Sequence, residues 1–304
     1  MIYRNYLGLD MSSSELRAVA LRRRGRGSAL SGGRVLSLNG GLLVPSLRQA
    51  NVADPERMVA EIREVLAPLA GREDRVALSL PDQVGRVLLT EVETAFKSKA
   101  EGVDILKWKM KEALPLDPKD IVLDYQILEK TESGRFHLAV AFVARSVLNQ
   151  YEDILAEAGY NAAVVDFHSL NLYNYYRPRL DLGEDFVLVG VDDRSLSLQY
   201  FQGQVLAFRR VREMETTPSR LFQELKRSLV GCQETHRAFG RAAVFLHCER
   251  KDSDAVLEAV GAAFEGDVRV LDPHLERLAP VPLDLPAQQV RALVAAVGAA
   301  ERMM

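Results

Sequence analysis

Short apolar strands and amphipathic helices alternate along the chain. Alternating apolar and polar residues predict strands over 16–21 and 33–38. Asp54, an N-cap type residue, precedes Pro55 at the first position of a predicted helix. Apolar residues at helical spacing then mark its buried face: Met58, Ile62, Val65 and Leu66. Both element types recur to the end of the sequence, which predicts an α/β protein.

One pattern occurs twice. A short apolar strand ends at Asp10, and a second ends at Asp192. Each strand has a glycine two positions before its aspartate, at Gly8 and Gly190, so the two motifs are 182 residues apart at both positions. A serine-containing turn and two further strands follow each one. This repeat predicts two similar α/β lobes that arose by duplication.

Composition excludes several classes of protein. The 304 residues are 48% hydrophobic and 27% charged, as in ordinary globular proteins. Lys and Arg number 39 against 42 Asp and Glu, so the sequence lacks the basic surplus of a typical nucleic-acid binder. Two cysteines exclude a disulfide scaffold. The first ten residues lack a signal-peptide pattern, and no apolar run is long enough to span a bilayer, so we expect a cytoplasmic chain.

The repeated turns suggest phosphate chemistry. Two aspartate-tipped turns that face each other across a cleft can hold a nucleotide, as in actin and the sugar kinases, because such turns offer N–H groups and hydroxyls to phosphate. On this hypothesis Asp10 and Asp192 hold Mg²⁺. The phosphates lie against Ser12, Ser13, Ser14 and Arg17, and Gly298 lies near the cleft.

Several segments resemble one family. The stretch 6–19, YLGLDMSSSELRAV, looks like the first phosphate motif of PilM, the actin-like cytoplasmic protein of type IV pilus assembly, which is itself similar to the cell-division protein FtsA. Further loose matches occur in the family's order, at 108–128, 156–166, 221–229 and 296–300. The resemblance implies an actin-like (ribonuclease H-like) fold of two duplicated lobes.

The sequence also departs from that family. Ser12 and Arg194 stand where the family has glycine, which lets backbone approach phosphate closely. The expected Gly-Gly loop after the strand 242–246 reads HCERKD instead. Only 212–216 is available for the family's second small subdomain, so we expect it to be absent.

The resemblance also implies a domain plan. The first lobe takes residues 1–83 and resumes over 145–180, on either side of an inserted small subdomain. The subdomain is predicted over 84–144, the second lobe over 181–286, and a C-terminal helix near the cleft over 287–304.

The leading functional hypothesis is a scaffold without catalytic residues and without a required cofactor. The resemblance implies a cytoplasmic protein of type IV pilus assembly that lies beside the inner membrane and binds the N-terminal tail of a PilN-like single-span membrane protein. The tail would lie in a groove between the first lobe and the small subdomain. Its predicted wall consists of Leu88, Trp108, Leu114 and Pro115, although these residues would equally suit an interior core.

Three alternatives stay open from the sequence. One is a nucleotide-binding switch or weak ATPase that uses Mg-ATP. Another is a stand-alone GspL-like component of type II secretion. Self-association, as in other actin relatives, is also compatible with the sequence.

Two other clusters favour structural interpretations. Cys232, His236, His247 and Cys248 do not form a convincing zinc set, because the last two are adjacent on a predicted strand and point to opposite faces. Asp166 and His168 could suggest acid–base chemistry, but no nucleophile accompanies them.

Ile105 and Trp108 are expected to face the core of the small subdomain.

Overall fold

The structure is a computed structural model that describes residues 4–25, 27–112 and 114–304, with only the backbone of Arg237. No helix within these residues combines the length and the apolar character needed to cross a membrane.

Strands and helices alternate as the sequence predicts. The strands are β1 (Tyr6–Met11), β2 (Glu15–Arg24), β3 (Gly27–Ser37), β4 (Arg75–Leu80), β5 (Gly85–Val92), β6 (Ile121–Lys130), β7 (Phe136–Ala144), β8 (Asn161–Phe167), β9 (Phe186–Val191), β10 (Ser195–Gln202), β11 (Val205–Glu213), β12 (Ala243–Cys248) and β13 (Val268–Val270). The helices are α1 (Pro55–Ala70), α2 (Lys99–Lys109), α3 (Arg145–Glu157), α4 (His168–Tyr176), α5 (Pro218–Thr235), α6 (Ser253–Phe264), α7 (Ala287–Ala292) and α8 (Val294–Glu301).

Two five-stranded sheets share one topology, and this confirms the predicted duplication. The first has the order β3-β2-β1-β4-β8 and the second the order β11-β10-β9-β12-β13. In each, three antiparallel strands are followed by parallel strands. Asp10 is paired within β1, and Asp192 directly follows β9, so both lie at equivalent ends of central strands.

A third sheet, with the order β5-β7-β6, forms a small layer with α2 on one face. Alternate residues of its strands, including Ile121, Leu123, Leu138 and Val140, pack with Leu106 of α2. The opposite face of this small sheet is turned toward the first lobe. Because side chains alternate across a strand, the two faces carry different residues and have different roles.

Helices α4 and α8 bring the two lobes together. Each crosses the other so closely that a side chain at Gly298 of α8 would overlap the carbonyl oxygen of Asn171 in α4. Helix α8 also lies on β1, where a side chain at Gly8 would overlap the carbonyl oxygen of Ala296. The repeated glycine of the first motif is therefore required for helix packing. Its counterpart, Gly190, leaves room for Ser197 and Leu172.

Three local expectations differ from the structure. The predicted C-terminal helix is broken at Leu293, whose buried side chain packs beside Gly33. The strand predicted over 16–21 is longer than expected, since β2 continues to Arg24. Ile105 and Trp108 do not face the core: they are 41% and 79% exposed, because α2 directs Leu106 and Met110 to the sheet instead.

Candidate functional site

A cleft of about 250 Å³ lies between the lobes, where the two repeated turns face each other. The first turn contributes Ser12, Ser13 and Ser14, and the second contributes residues 192–195. The structure thus brings together the aspartate-tipped motifs that the repeat predicted. Several charged groups that lie outside the two motifs also surround these turns.

Asp10 lies beneath the residues that line the cleft and is fully buried. Its carboxylate accepts hydrogen bonds from Ser79 Oγ at 2.5 Å and from His168 Nδ1 at 3.0 Å. Arg17 Nη1 donates to its other oxygen at 3.2 Å. Both carboxylate oxygens are therefore used by groups of the first lobe and of α4.

Glu249, which follows β12 in the second lobe, completes this buried cluster. Arg17 Nη1 lies 2.8 Å from Glu249 Oε2, a charge contact that is too poorly aligned to count as a hydrogen bond. His168 Nε2 and His247 Nε2 lie 3.5 and 3.2 Å from its other oxygen. Because Arg17 contacts Asp10 in one lobe and Glu249 in the other, we call Asp10, Arg17, His168 and Glu249 the interlobe charge cluster.

The pKa values of this cluster favour its charged forms. Burial alone would raise the pKa of Asp10, but cationic His168 and Arg17 hold that pKa below its ordinary value. Burial likewise opposes the charge of Glu249, whose pKa is nevertheless lowered by Arg17, His247 and His168. For His168, burial disfavours the cation, yet Asp10 and Glu249 raise its pKa to about 10. At neutral pH the cluster therefore consists of two carboxylates and two cations.

Asp192 is in a different position. Burial, followed by repulsion from Glu249, raises the pKa of Asp192 to about 6, although His168 and Arg17 oppose this. Its Oδ1 accepts the N–H of Arg194 at 2.7 Å, which closes the second turn. Keeping the Asp192 carboxylate ionised in the cleft therefore lowers the stability of the fold. Raised carboxyl pKa values of this kind are typical of functional sites and also occur at structural ones.

A second buried ion pair joins the lobes beside the first cluster. Arg209 of β11 donates to Asp82, which follows β4, and to Ser169 Oγ at 3.0 Å. Asp82 also accepts the backbone N–H and the hydroxyl of Ser169 at 3.0 and 2.8 Å. Since Ser169 follows His168, both interlobe contacts meet at the first residues of α4.

The backbone of both turns is largely engaged. In the first turn, Ser12 N–H donates to Glu15 O at 2.9 Å, and Ser12 Oγ accepts the N–H of Glu15 at 3.0 Å. In the second, Asp192 N–H donates to Ser195 O at 3.1 Å. The amides of Ser12 and Asp192 are therefore already bonded within their own turns.

The residues present do not fit a nucleoside triphosphate with Mg²⁺. Arg17, the predicted phosphate ligand, is already paired with Asp10, Glu15 and Glu249. Side chains that line the cleft include six carboxylates, and only Arg17, Arg194, Lys251 and His168 carry positive charge there. A polyanion would have to compete with these acids for the cations.

The sequence predicts part of this site. Asp10, Arg17 and Ser12–Ser14 lie in or under the cleft as expected, whereas Gly298 packs against Asn171 and is not among the lining residues. Glu249, Asp82 and Arg209 were missed, because no motif marks them. The sequence favours a structural role for His168, and its ion pairs are consistent with that role. The same holds for His247, which accepts or donates a hydrogen bond with Tyr176 at 2.8 Å.

A second concavity lies between the small subdomain and the first lobe, with a volume of about 400 Å³. We call it the β8 groove. Its floor is the free face of the small sheet, with Val122, Ala139 and Ala141, and its wall is the strand β8 with Ala163–Phe167. Strand β8 is the outermost strand of its sheet, so one edge of its backbone faces the groove.

The structure places the four predicted wall residues elsewhere. Leu114 is buried under α2, and Leu88 packs against the same cluster on the opposite face of the small sheet. Trp108 is exposed on α2, and Pro115 lies in a separate recess near Arg48. None of the four is among the residues that line the β8 groove. Their role in partner binding stays a prediction.

Comparison with known proteins gives a consistent fold. No protein-family model matches the sequence, and no curated protein is significantly similar to it. Among solved structures, a chain of the PilM-PilN type IV pilus biogenesis complex aligns with a TM-score of 0.74 and 19% identity over 97% of each chain. A Bacteroides thetaiotaomicron protein with an actin-like ATPase fold and unknown function aligns at 0.57 and 13% identity, over 90% of this chain and 95% of that one.

The chain has the actin-like ATPase fold. The cytoplasmic domain of EpsL, an inner-membrane component of the Vibrio cholerae type II secretion system, is also similar, with a TM-score of 0.51 and 11% identity over 96% of this chain and 95% of that one. These actin-like neighbours confirm the fold class predicted from the sequence. They also agree with the resemblance of the sequence to the PilM family.

The interlobe charge cluster makes a first prediction. Arg17→Met leaves Asp10 and Glu249 buried near each other with one fewer cation, so we expect the free energy of unfolding to fall by about 3–5 kcal/mol. Urea denaturation measures this. The matched control is Arg57→Ala, which removes an exposed helix pair with Glu61 and should change stability by less than about 0.5 kcal/mol. Equal effects of the two substitutions would contradict the assignment.

Asp192 makes a second prediction. Its folded pKa of about 6 lies above the value in the unfolded chain, so the folded state binds the extra proton and the ionised form costs stability. Asp192→Asn retains the oxygen that accepts the Arg194 N–H. We expect the variant to be more stable than the parent by about 1–2 kcal/mol above pH 6, with the difference vanishing below about pH 4. Urea titrations over this pH range test it; a pH-independent difference would refute it.

A third prediction concerns Mg-ATP. Because Arg17 is paired with three carboxylates and the amides of Ser12 and Asp192 bond within their own turns, calorimetric titration of Mg-ATP into the protein should give only the heat of dilution. A saturable signal with a dissociation constant of roughly 100 μM or tighter would show that the nucleotide displaces these contacts.

Proposed function

We propose that this protein is a non-enzymatic, actin-like component of a type IV pilus or related secretion machine, and that it binds the extended cytoplasmic tail of a single-span inner-membrane protein in the β8 groove. The similarity to a chain of the PilM-PilN complex along the whole length supports the first part. The exposed edge of β8 beside an apolar floor is the observation that carries the second.

The groove suits an extended peptide. A tail of six residues in strand conformation is about 20 Å long and can form a backbone ladder with β8, while alternate side chains enter the groove. Leu80, Val87, Val122 and Leu170 supply apolar contacts there. Backbone pairing provides affinity for many sequences, and the floor selects among them.

The other sheet edge near the groove is less suitable. Carbonyl groups along β6 already accept hydrogen bonds from lysines of α2: Lys107 Nζ reaches Ile121 O at 2.9 Å, and Lys99 Nζ contacts Tyr125 O. Cationic side chains that cover a strand edge discourage pairing with another chain. This favours β8 as the strand to which a tail adds.

The charge clusters fit a scaffold. Two buried ion pairs, Arg17–Glu249 and Arg209–Asp82, join the lobes through the protein's own side chains. The relative position of the lobes then does not depend on a bound nucleotide. A membrane-anchored tail would hold the protein at the cytoplasmic face of the inner membrane.

The test uses synthetic peptides that tile the cytoplasmic N-terminal tails of single-span inner-membrane proteins from pilus and type II secretion loci of the source organism. Fluorescence anisotropy should find a tail that binds the protein. Ala139→Trp fills the groove floor and should weaken that binding more than about 10-fold, because the tail can no longer reach β8.

The matched control is Ala100→Trp, which adds the same side chain on the exposed face of α2 and should leave affinity unchanged. Thermal melts verify that both variants fold. If no tail binds, or if the two tryptophan variants behave alike, the proposed function is wrong.

A further inference from the structure

The β8 groove contains one acid whose side chain is mostly, but not fully, buried, in a largely apolar surface. Asp166, near the end of β8, has a side chain that is 14% exposed. A second acid, Asp124, lies at the rim with 74% of its side chain exposed, and it pairs with Lys99. Only Asp166 is thus placed where a docked peptide would remove it from water.

The two carboxylate oxygens of Asp166 have different partners. Oδ1 accepts the N–H of Phe167 at 2.8 Å, which fixes the carboxylate at the end of the strand. Oδ2 accepts a hydrogen bond from Arg302 Nη1. Arg302 follows α8 and reaches into the groove from outside the first lobe, with 44% of its side chain exposed.

Other charges near Asp166 do not replace this partner. Asp82 and Arg209 act on it from beneath β8, but they are paired with each other. Burial raises the pKa of Asp166, and Arg302 opposes that shift. The ionised acid therefore depends on a cation that arrives from the groove side.

We infer that Asp166 receives a lysine or arginine side chain of the bound tail, and that Arg302 occupies this place in the free protein. The inference rests on the proposed function and names the chemistry of the tail: an extended apolar segment with one basic residue. A tail that covers the groove excludes water from Asp166, and a buried carboxylate must then keep a cation. A basic tail supplies that cation in exchange for Arg302, which is 44% exposed and can return to solvent, whereas an apolar tail leaves Arg302 on Asp166.

The experiment selects peptides on the intact protein. A displayed library of random ten-residue peptides is panned on the wild type, and binders that lose affinity for the Ala139→Trp variant are sequenced as groove ligands. We expect lysine or arginine at one fixed distance from apolar positions. The best binder is then synthesised, together with a version in which norleucine replaces that basic residue.

Three variants measure the role of the ion pair. Asp166→Asn keeps the acceptor for Phe167 N–H and should weaken the basic peptide roughly 10-fold while leaving the norleucine peptide unchanged. Asp124→Asn makes the same change at the exposed rim and should alter affinity by less than about 2-fold. Arg302→Gln removes the competing cation and should strengthen the basic peptide roughly 3-fold or more.

The outcomes separate the two proposals. If groove ligands are enriched but carry no preferred basic residue, or if Asp166→Asn and Asp124→Asn have equal effects, the inference is wrong and the proposed groove function stands. If no peptide is selected, or none responds to Ala139→Trp, the groove function fails and the inference fails with it.

Discussion

The position of Arg17 between two buried carboxylates determines how the lobes sit together. Asp10 belongs to the first lobe and Glu249 to the second, and neither can be buried in charged form without the cations between them. His168 adds a second cation at the start of α4. Breaking a cluster of this kind costs much free energy, and its charges are all paired in only one arrangement of the lobes. The cluster therefore fixes the relative position of the lobes more than it adds net stability.

This constraint extends to the helices that connect the lobes. The first residues of α4, His168 and Ser169, take part in both interlobe ion clusters. Further along, α4 crosses α8 at Gly298, where only a glycine fits against Asn171. Helix α8 in turn lies on β1 at Gly8. Charge at the first residues of α4 and close packing against α8 about one turn later therefore fix the same helix, and the β8 groove forms on a lobe whose position is already fixed.

The sequence predicts the architecture better than the site. The spacing of Gly8 and Asp10 relative to Gly190 and Asp192 indicates the duplication, because strand alternation and a repeated motif are local signals. No local signal marks Glu249, because its role depends on a contact between two lobes that are far apart in sequence. A concavity lies between the first lobe and the small subdomain, where the sequence predicts the partner groove, but Leu88 of the predicted wall faces away from it, whereas Val87 lines it. Neighbouring strand residues face opposite sides, and both are apolar, so hydropathy could not choose between them.

The charged and polar groups around the cleft form one consistent set of internal contacts. Ser12 stands where the family that the sequence resembles has glycine, and its hydroxyl closes the first turn, while the Asp192 carboxylate closes the second by accepting the Arg194 N–H. Glu249 pairs with Arg17. Each of these contacts uses a group that a phosphate would otherwise approach and gives it a partner within the protein. The turn hydrogen bonds and the interlobe ion pair therefore support the same arrangement of the cleft, which is the agreement between local and tertiary interactions expected of a framework region.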